Sequence, residues 1–305
     1  MKILVTGATG FIGSHLVRRL LDEKHTVYIY SRKKSNFERI QEVLPQIHVI
    51  LIDKSHSGVK NIFSQNRIDG VIHLAGFYRK IDDESNKAEM DSTNIEMPLQ
   101  ILSLAKKYKC TFFINAGSCF EYKQSTNQIK ESSPLLPFNH YASTKIIFEK
   151  KMKEALNGSS MKALTLKLFF LYGERDNDKL VKLLVKSIVQ KKQIQVTKGE
   201  QKLSFTYIAD VIDAFLKAIE YVPFMKKSYE EFVIGAPPIR VSSIFDLIEE
   251  ISGVHNCIVR DKDYTPNEIM TMYTMSEKAR RVLGWKPNWS LRDGLEKVYT
   301  YYKSL

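Results

Sequence analysis

At 305 residues the chain is long enough for one large or two modest domains with a real core. Its 44% hydrophobic and 26% charged residues fit an ordinary globular protein, and no stretch approaches the ~18 apolar residues of a membrane span. The formal charge of +12 describes either a lysine-rich surface or one that attracts anionic ligands such as nucleotides. The lysines are scattered and no nucleic-acid-binding module is visible, so nucleic acid is not an expected partner. Cys110, Cys119 and Cys257 form no Cys-x-x-Cys pair, which argues against a metal site and against disulfides. A reducing, cytoplasmic setting is expected. Met1-Lys2 leads straight into the first predicted strand, so no signal peptide is expected either.

Residues 2–5 read as a short apolar strand. A glycine-spaced turn follows, Thr6-Gly7-Ala8-Thr9-Gly10-Phe11-Ile12-Gly13, and then Ile12, Leu16, Val17, Leu20 and Leu21 repeat at helical spacing. Such a strand-to-helix turn lets the backbone N–H groups around Gly7, Thr9, Gly10, Phe11, Ile12 and Gly13 approach a pyrophosphate at the positive end of a helix. Gly13 allows the helix to pack closely on the strand. Further strands are predicted at 26–30, 47–52, 70–74 and 111–116, with helical stretches between them, for example 97–108. This alternation predicts a doubly wound α/β fold of the Rossmann kind, with a parallel sheet and its ligand at the carboxyl ends of the strands.

The second half is less regular. A strand is predicted at 164–171, an amphipathic helix at 176–190, and another helix at 210–221 with Asp210 as its N-cap. A short strand at 232–234 precedes the turn Gly235-Ala236-Pro237-Pro238. Helices follow at 243–252 and 276–283, the latter stopped by Gly284-Trp285-Lys286-Pro287. The expected organisation is a dinucleotide-binding domain over 1–165, to which 205–236 returns. A smaller C-terminal, substrate-binding lobe is expected over 166–204 and 237–305.

An acidic residue at the end of the second strand would hold the adenosine ribose hydroxyls and signal NAD. Here that strand ends in Tyr30-Ser31-Arg32-Lys33-Lys34. Ser31 and Arg32 suit a 2′-phosphate instead, which favours NADP(H) over NAD(H), although a solvated basic turn has the same composition. Asp53, after the third strand, is placed to meet the adenine amino group. Leu74, Ala75 and Gly76 end the fourth strand where backbone must pass close to the cofactor.

Tyr141-Ala142-Ser143-Thr144-Lys145 carries the second signal. On a helix these two ends share a face, and an ammonium beside the phenol is expected to lower its pKa. The phenol then exchanges a proton with a carbonyl or an alcohol. The same spacing recurs at Tyr30/Lys34 and Tyr299/Lys303, but only Tyr141/Lys145 follows the fifth strand with a serine, Ser118, before it. A hydroxyl there can hold a substrate oxygen.

Together, Gly7/Gly10/Gly13, Asp53, His73-Leu74-Ala75-Gly76, Ser118, Tyr141/Lys145 and Tyr172-Gly173 resemble the extended short-chain dehydrogenase/reductase family, of the NAD-dependent epimerase/dehydratase type. The likeness continues through Phe205-Thr206-Tyr207-Ile208-Ala209-Asp210 and Leu283-Gly284-Trp285-Lys286-Pro287. Within the family the chain looks most similar to nucleotide-sugar 4-ketoreductases of the CDP-abequose synthase type. Ile72-His73-Leu74-Ala75, Pro266-Asn267-Glu268-Ile269-Met270 and Gly284-Trp285-Lys286-Pro287-Asn288 carry that closer likeness. The resemblance implies Tyr141 as general acid, Lys145 on the nicotinamide ribose, and Ser118 polarising the ketone. It also implies a homodimer built on a helix pair that includes the Tyr141 helix.

Dehydratases of the family carry an Asp-Glu pair after the serine position, where this chain has Cys119-Phe120, so dehydration is not expected. Phe120 and Glu121 are placed to line a sugar pocket, with Glu121 either binding sugar hydroxyls or facing solvent. The family usually has Asn where Phe170 stands, Arg where Leu203 stands, and Arg where Thr265 stands. Either Lys179, Lys182 or Lys202 replaces those diphosphate contacts, or the substrate is not an ordinary sugar nucleotide. The expectation is an NADPH-dependent reductase of a nucleotide-linked 4-keto-6-deoxysugar. An NAD-dependent 4-epimerase is the alternative within enzymes, and a non-catalytic dinucleotide-binding protein the alternative outside them.

Overall fold

The computed structural model describes residues 1–52, 57–78 and 84–305. They form two compact units. The first comprises Met1–Lys123, Pro134–Lys167 and Ala214–Phe232, and the second Gln124–Ser133, Leu168–Asp213 and Val233–Leu305.

The first unit is built on a seven-stranded sheet. Its strands are β1 (Lys2–Thr6), β2 (Thr26–Ser31), β3 (His48–Leu51), β4 (Gly70–His73), β5 (Phe112–Ser118), β6 (Lys162–Leu168) and an edge strand, Tyr229–Ile234. Their spatial order runs from that edge strand through β6, β5, β4, β1 and β2 to β3. β1 pairs in parallel with both β2 and β4, so the strand order reverses beside β1, which is where a doubly wound sheet opens a ligand crevice. Ile3, Leu4 and Val5 are fully buried, because helices cover both faces of a parallel sheet. The strand order and the parallel pairing bear out the predicted fold class.

Among the described residues, five α-helices of this unit precede β6. α1 is Phe11–Asp22, α2 Ser57–Gln65, α3 Glu84–Asp91 and α4 Met97–Lys107. A π-helical turn, Ser92–Glu96, joins α3 to α4. α5, His140–Ala155, starts at Asn139, whose side chain accepts from Ala142 N at 3.0 Å. Its buried face carries Ala142, Lys145, Phe148, Glu149 and Met152, spaced three and four apart. Phe148 and Met152 join Ile101, Leu102, Ala105 and Phe113 in one core, each large side chain contributing about 1.5–3 kcal/mol.

The second unit packs three helices together: α6 (Leu180–Val189) and the helices Ser242–Ser252 and Leu291–Lys303. A small sheet places Lys202–Leu203 between Ile239–Arg240 and Thr271–Met272. α6 begins at Leu180 rather than at residue 176. Arg175 has φ +61°, and the Asp176 carboxylate accepts from Asn177 N at 2.7 Å. These local bonds compete with a helical turn. α7, Ile208–Tyr221, begins before Asp210, so Asp210 is not its N-cap. The Asp210 carboxylate instead accepts from the N–H groups of Asn288 (2.8 Å) and Trp289 (3.3 Å). Its backbone carbonyl accepts from the buried Trp285 indole at 2.8 Å. No helix among the described residues is long and apolar enough to cross a membrane.

Candidate active site

The glycine turn joins β1 to α1 against the end of β4. Gly7 has φ +70°, a left-handed conformation that disfavours side chains, and a Cβ there would lie 2.6 Å from Ala75 N. A Cβ on Gly13 would lie 2.2 Å from Gly7 O. Gly10 is the N-cap residue of α1, with no side-chain cap and no acid in the first turn. The amides at Phe11, Ile12 and Gly13 therefore begin the helix uncapped by any side chain, which suits an anion.

Thr6 ties this turn to the β4 end. Its hydroxyl oxygen accepts from Leu74 N (3.2 Å) and Ala75 N (3.1 Å) and lies 2.8 Å from His73 Nδ1. With two donors on its oxygen, Thr6 gives its own proton to Nδ1, which leaves the ring hydrogen on Nε2. Burial, and then the charge of Lys145, pull the His73 pKa well down, so the ring is neutral.

The end of β4 meets the Tyr141 helix at Gly76. A Cβ on Gly76 would lie 3.7 Å from Lys145 Nζ, 3.8 Å from Asn94 Oδ1 and 3.8 Å from the Tyr141 ring. Lys145 is buried, and Nζ donates to Ala116 O on β5 at 3.1 Å. It stands 5.7 Å from the centre of the Tyr141 ring, while Tyr78 packs edge-on against that ring with centres 5.2 Å apart. Asn94, in the π-helical turn, exchanges hydrogen bonds with the Phe77 backbone at 2.8 and 3.0 Å and donates to Thr144 Oγ1 at 3.0 Å. Sequence reasoning did not find Asn94. Its partners lie 17 and 50 residues away, and only the glycine-ended strand before it hinted that something must fix that loop.

Ser118 ends β5, two residues past the Lys145 acceptor. Its N–H donates to Glu121 Oε1 at 2.6 Å and its hydroxyl oxygen accepts from Phe120 N at 3.2 Å. Glu121 neither faces solvent nor stands open to a sugar, contrary to both sequence expectations. It is fully buried, and its other oxygen accepts from Lys167 at 2.9 Å. A second expectation also changes. Burial and then the Glu121 charge push the Tyr141 phenol up, so in this structure it is held protonated rather than lowered by its lysine. Burial holds the Lys145 ammonium down to about 8, with Glu121 pulling the other way.

Ser31 ends β2 nearly buried, whereas Arg32 is exposed, with its guanidinium 3.8 Å from the Glu89 carboxylate. Phe120 packs against Phe138 with ring centres 5.8 Å apart. Lys179 is the exposed N-cap residue of α6 in the second unit. Asp53 lies outside the described residues. Cys119 is buried. Among the described residues, no three His, Cys, Asp or Glu side chains are grouped to hold a metal.

A phenol and an ammonium thus meet the segment after β4 that packs on a glycine turn suited to an anion. The comparisons agree with this geometry. The chain is 27% identical to the uncharacterized UDP-glucose epimerase YtcB of Bacillus subtilis, across 100% of this chain and 99% of the relative. It is 25% identical to CDP-abequose synthase of Salmonella muenchen, across 97% and 96%. Among solved structures, UDP-glucuronic acid 4-epimerase of Bacillus cereus, in complex with UDP-glucuronic acid and NAD, superposes with a TM-score of 0.86 at 27% identity, covering 100% of this chain and 99% of that one. The model of the NAD dependent epimerase/dehydratase family matches residues 3–235, which span the glycine turn, Ser118, Tyr141 and Lys145, and the chain is an enzyme of that family.

Proposed function

We propose that this enzyme reduces a nucleotide-linked 4-keto-6-deoxysugar at the expense of NADPH. The observation that carries the reductase reading is the end of β2. Its own residues, Tyr30 to Lys34, offer the exposed guanidinium of Arg32 and no carboxylate, a pattern that favours a 2′-phosphorylated cofactor used and released in each turnover. Likeness to CDP-abequose synthase supports the sugar class.

Gly7, Gly10 and Gly13 with the start of α1 would hold the pyrophosphate, and Leu74, Ala75 and Gly76 would line the cofactor path. The bound dinucleotide supplies the hydride. Ser118 orients the carbonyl oxygen by a hydrogen bond. Tyr141, held as the neutral phenol, gives its proton to that oxygen as it becomes a hydroxyl. Lys145 orients the nicotinamide ribose and keeps a positive charge beside the phenol. α5 leaves Ile147 exposed, which supports a homodimer through this helix.

A 4-epimerase with retained NAD is the second reading, favoured by likeness to YtcB and to the NAD-bound Bacillus cereus epimerase. One assay separates the two. The purified protein is mixed with NADPH and a 4-keto-6-deoxy nucleotide sugar, and the nicotinamide absorbance is followed. Steady oxidation is expected. Sugar interconversion with tightly held NAD and no NADPH oxidation would replace the first reading by the second.

A further inference from the structure

Next to Ser118 lies a chain of buried charges that the proposed reaction leaves unused. Lys167 on β6 is 1% exposed, and its ammonium faces Glu121 at 2.9 Å, Glu149 of α5 at 3.3 Å and Glu231 of the edge strand at 4.0 Å. Lys153 of α5 reaches Glu149 at 2.8 Å and Glu231 at 3.6 Å, nearer the surface. The Tyr122 ring sits 5.0 Å from Lys167 Nζ. Buried ion pairs of this kind are no more stabilising than apolar packing, so stability does not explain them.

Glu121 joins this network to the catalytic set. One oxygen takes the Ser118 N–H at 2.6 Å and the other takes Lys167 at 2.9 Å. The room it occupies is reserved: a Cβ on Gly117 would lie 2.9 Å from Glu121 Oε1 and 2.8 Å from Thr165 Cγ2. The segment from Ala116 to Glu121 therefore carries the Lys145 acceptor, a required glycine, the reactive serine and the carboxylate that fixes the serine. We propose that Glu121, held by Lys167, is a positioning residue that fixes the Ser118 turn. Beside the larger effect of burial, the Glu121 charge also bears on Tyr141 and Lys145 and raises both. Glu149, Glu231 and Lys153 set the charge on the far side of Lys167. This inference rests on the catalytic reading of Ser118, Tyr141 and Lys145.

The test profiles kcat against pH for the full-length wild type, Glu121→Gln and the double variant Glu121→Gln/Lys167→Met, using NADPH and a 4-keto-6-deoxy nucleotide sugar. Glutamine keeps an acceptor for the Ser118 N–H and removes the charge. Turnover is expected to fall about tenfold, because the carboxamide is no longer anchored by the Lys167 ion pair and holds the Ser118 turn less firmly. The alkaline limb is expected to move to lower pH, because an influence that raises Tyr141 and Lys145 has gone. NADPH affinity against pH, read by nicotinamide fluorescence without sugar, is expected to move the same way. The double variant also removes the Lys167 ammonium and is expected to show the same shift, because the Glu121 charge is gone in both. Unmoved limbs and an unmoved affinity profile in the double variant would reduce Glu121 to packing and overturn the proposal. Full turnover by Tyr141→Phe, run alongside, would instead overturn the catalytic reading.

Discussion

Replacing Lys145 by Met is expected to stabilise the protein while abolishing turnover. Lys145 is 3% exposed, and one backbone carbonyl, Ala116 O at 3.1 Å, is its hydrogen-bond acceptor. Burial brings the ammonium from 10.5 to about 8. Keeping the charge at neutral pH therefore costs about 3 kcal/mol. Methionine has nearly the same length and no charge. Losing one hydrogen bond offsets about 1 kcal/mol, leaving a net gain of about 2 kcal/mol. For a protein of this size that is a rise of several degrees in Tm, on the order of 2–4 °C per kcal/mol. The pH dependence follows from the sign of the shift. The folded pKa lies below the unfolded one, so between about 8 and 10.5 the unfolded chain binds the extra proton and wild-type stability rises with pH. The advantage of Lys145→Met should be full at neutral pH and shrink across that window. Denaturant melts at neutral and strongly alkaline pH measure it. A variant less stable than wild type at neutral pH, or a gap that does not change with pH, would refute the reasoning.

Gly13→Ala places a Cβ 2.2 Å from Gly7 O, so α1 must shift away from the turn, and dinucleotide affinity measured by fluorescence titration should fall by more than tenfold. Arg32→Glu removes a charge-assisted contact worth about 1.5–3 kcal/mol, so the Kd for NADPH should rise at least tenfold while that for NADH stays nearly constant. Asp210→Ala leaves the N–H groups of Asn288 and Trp289 without their acceptor, and thermal melts should show a loss of about 1–3 kcal/mol with NADPH affinity retained.

The fold was legible because its signals are local. Gly7, Gly10 and Gly13 serve one short turn, and the buried runs of β1, β2 and β4 read directly as parallel strands. Tyr141 and Lys145 were legible for a similar reason: helical spacing alone puts them on one face, and Gly76 then meets both. Glu121 was misread because its partner Lys167 is 46 residues away on another strand. A carboxylate after a strand end looks solvated until the tertiary structure supplies its counter-charge. Asp210 was misread likewise, since a helix-start pattern cannot reveal that the acceptor is taken up by N–H groups 78 and 79 residues further on. The direction of the Tyr141 shift depends on burial outweighing a nearby ammonium, a balance that sequence spacing does not contain.

The account turns on Tyr141 as the proton donor beside the dinucleotide site. The most direct measurement compares wild type and Tyr141→Phe for NADPH binding and for single-turnover reduction of a 4-keto-6-deoxy nucleotide sugar. The account predicts unchanged NADPH affinity and a rate at least a hundredfold lower, in line with the loss of a positioned acid. Equal rates in the two proteins would contradict it.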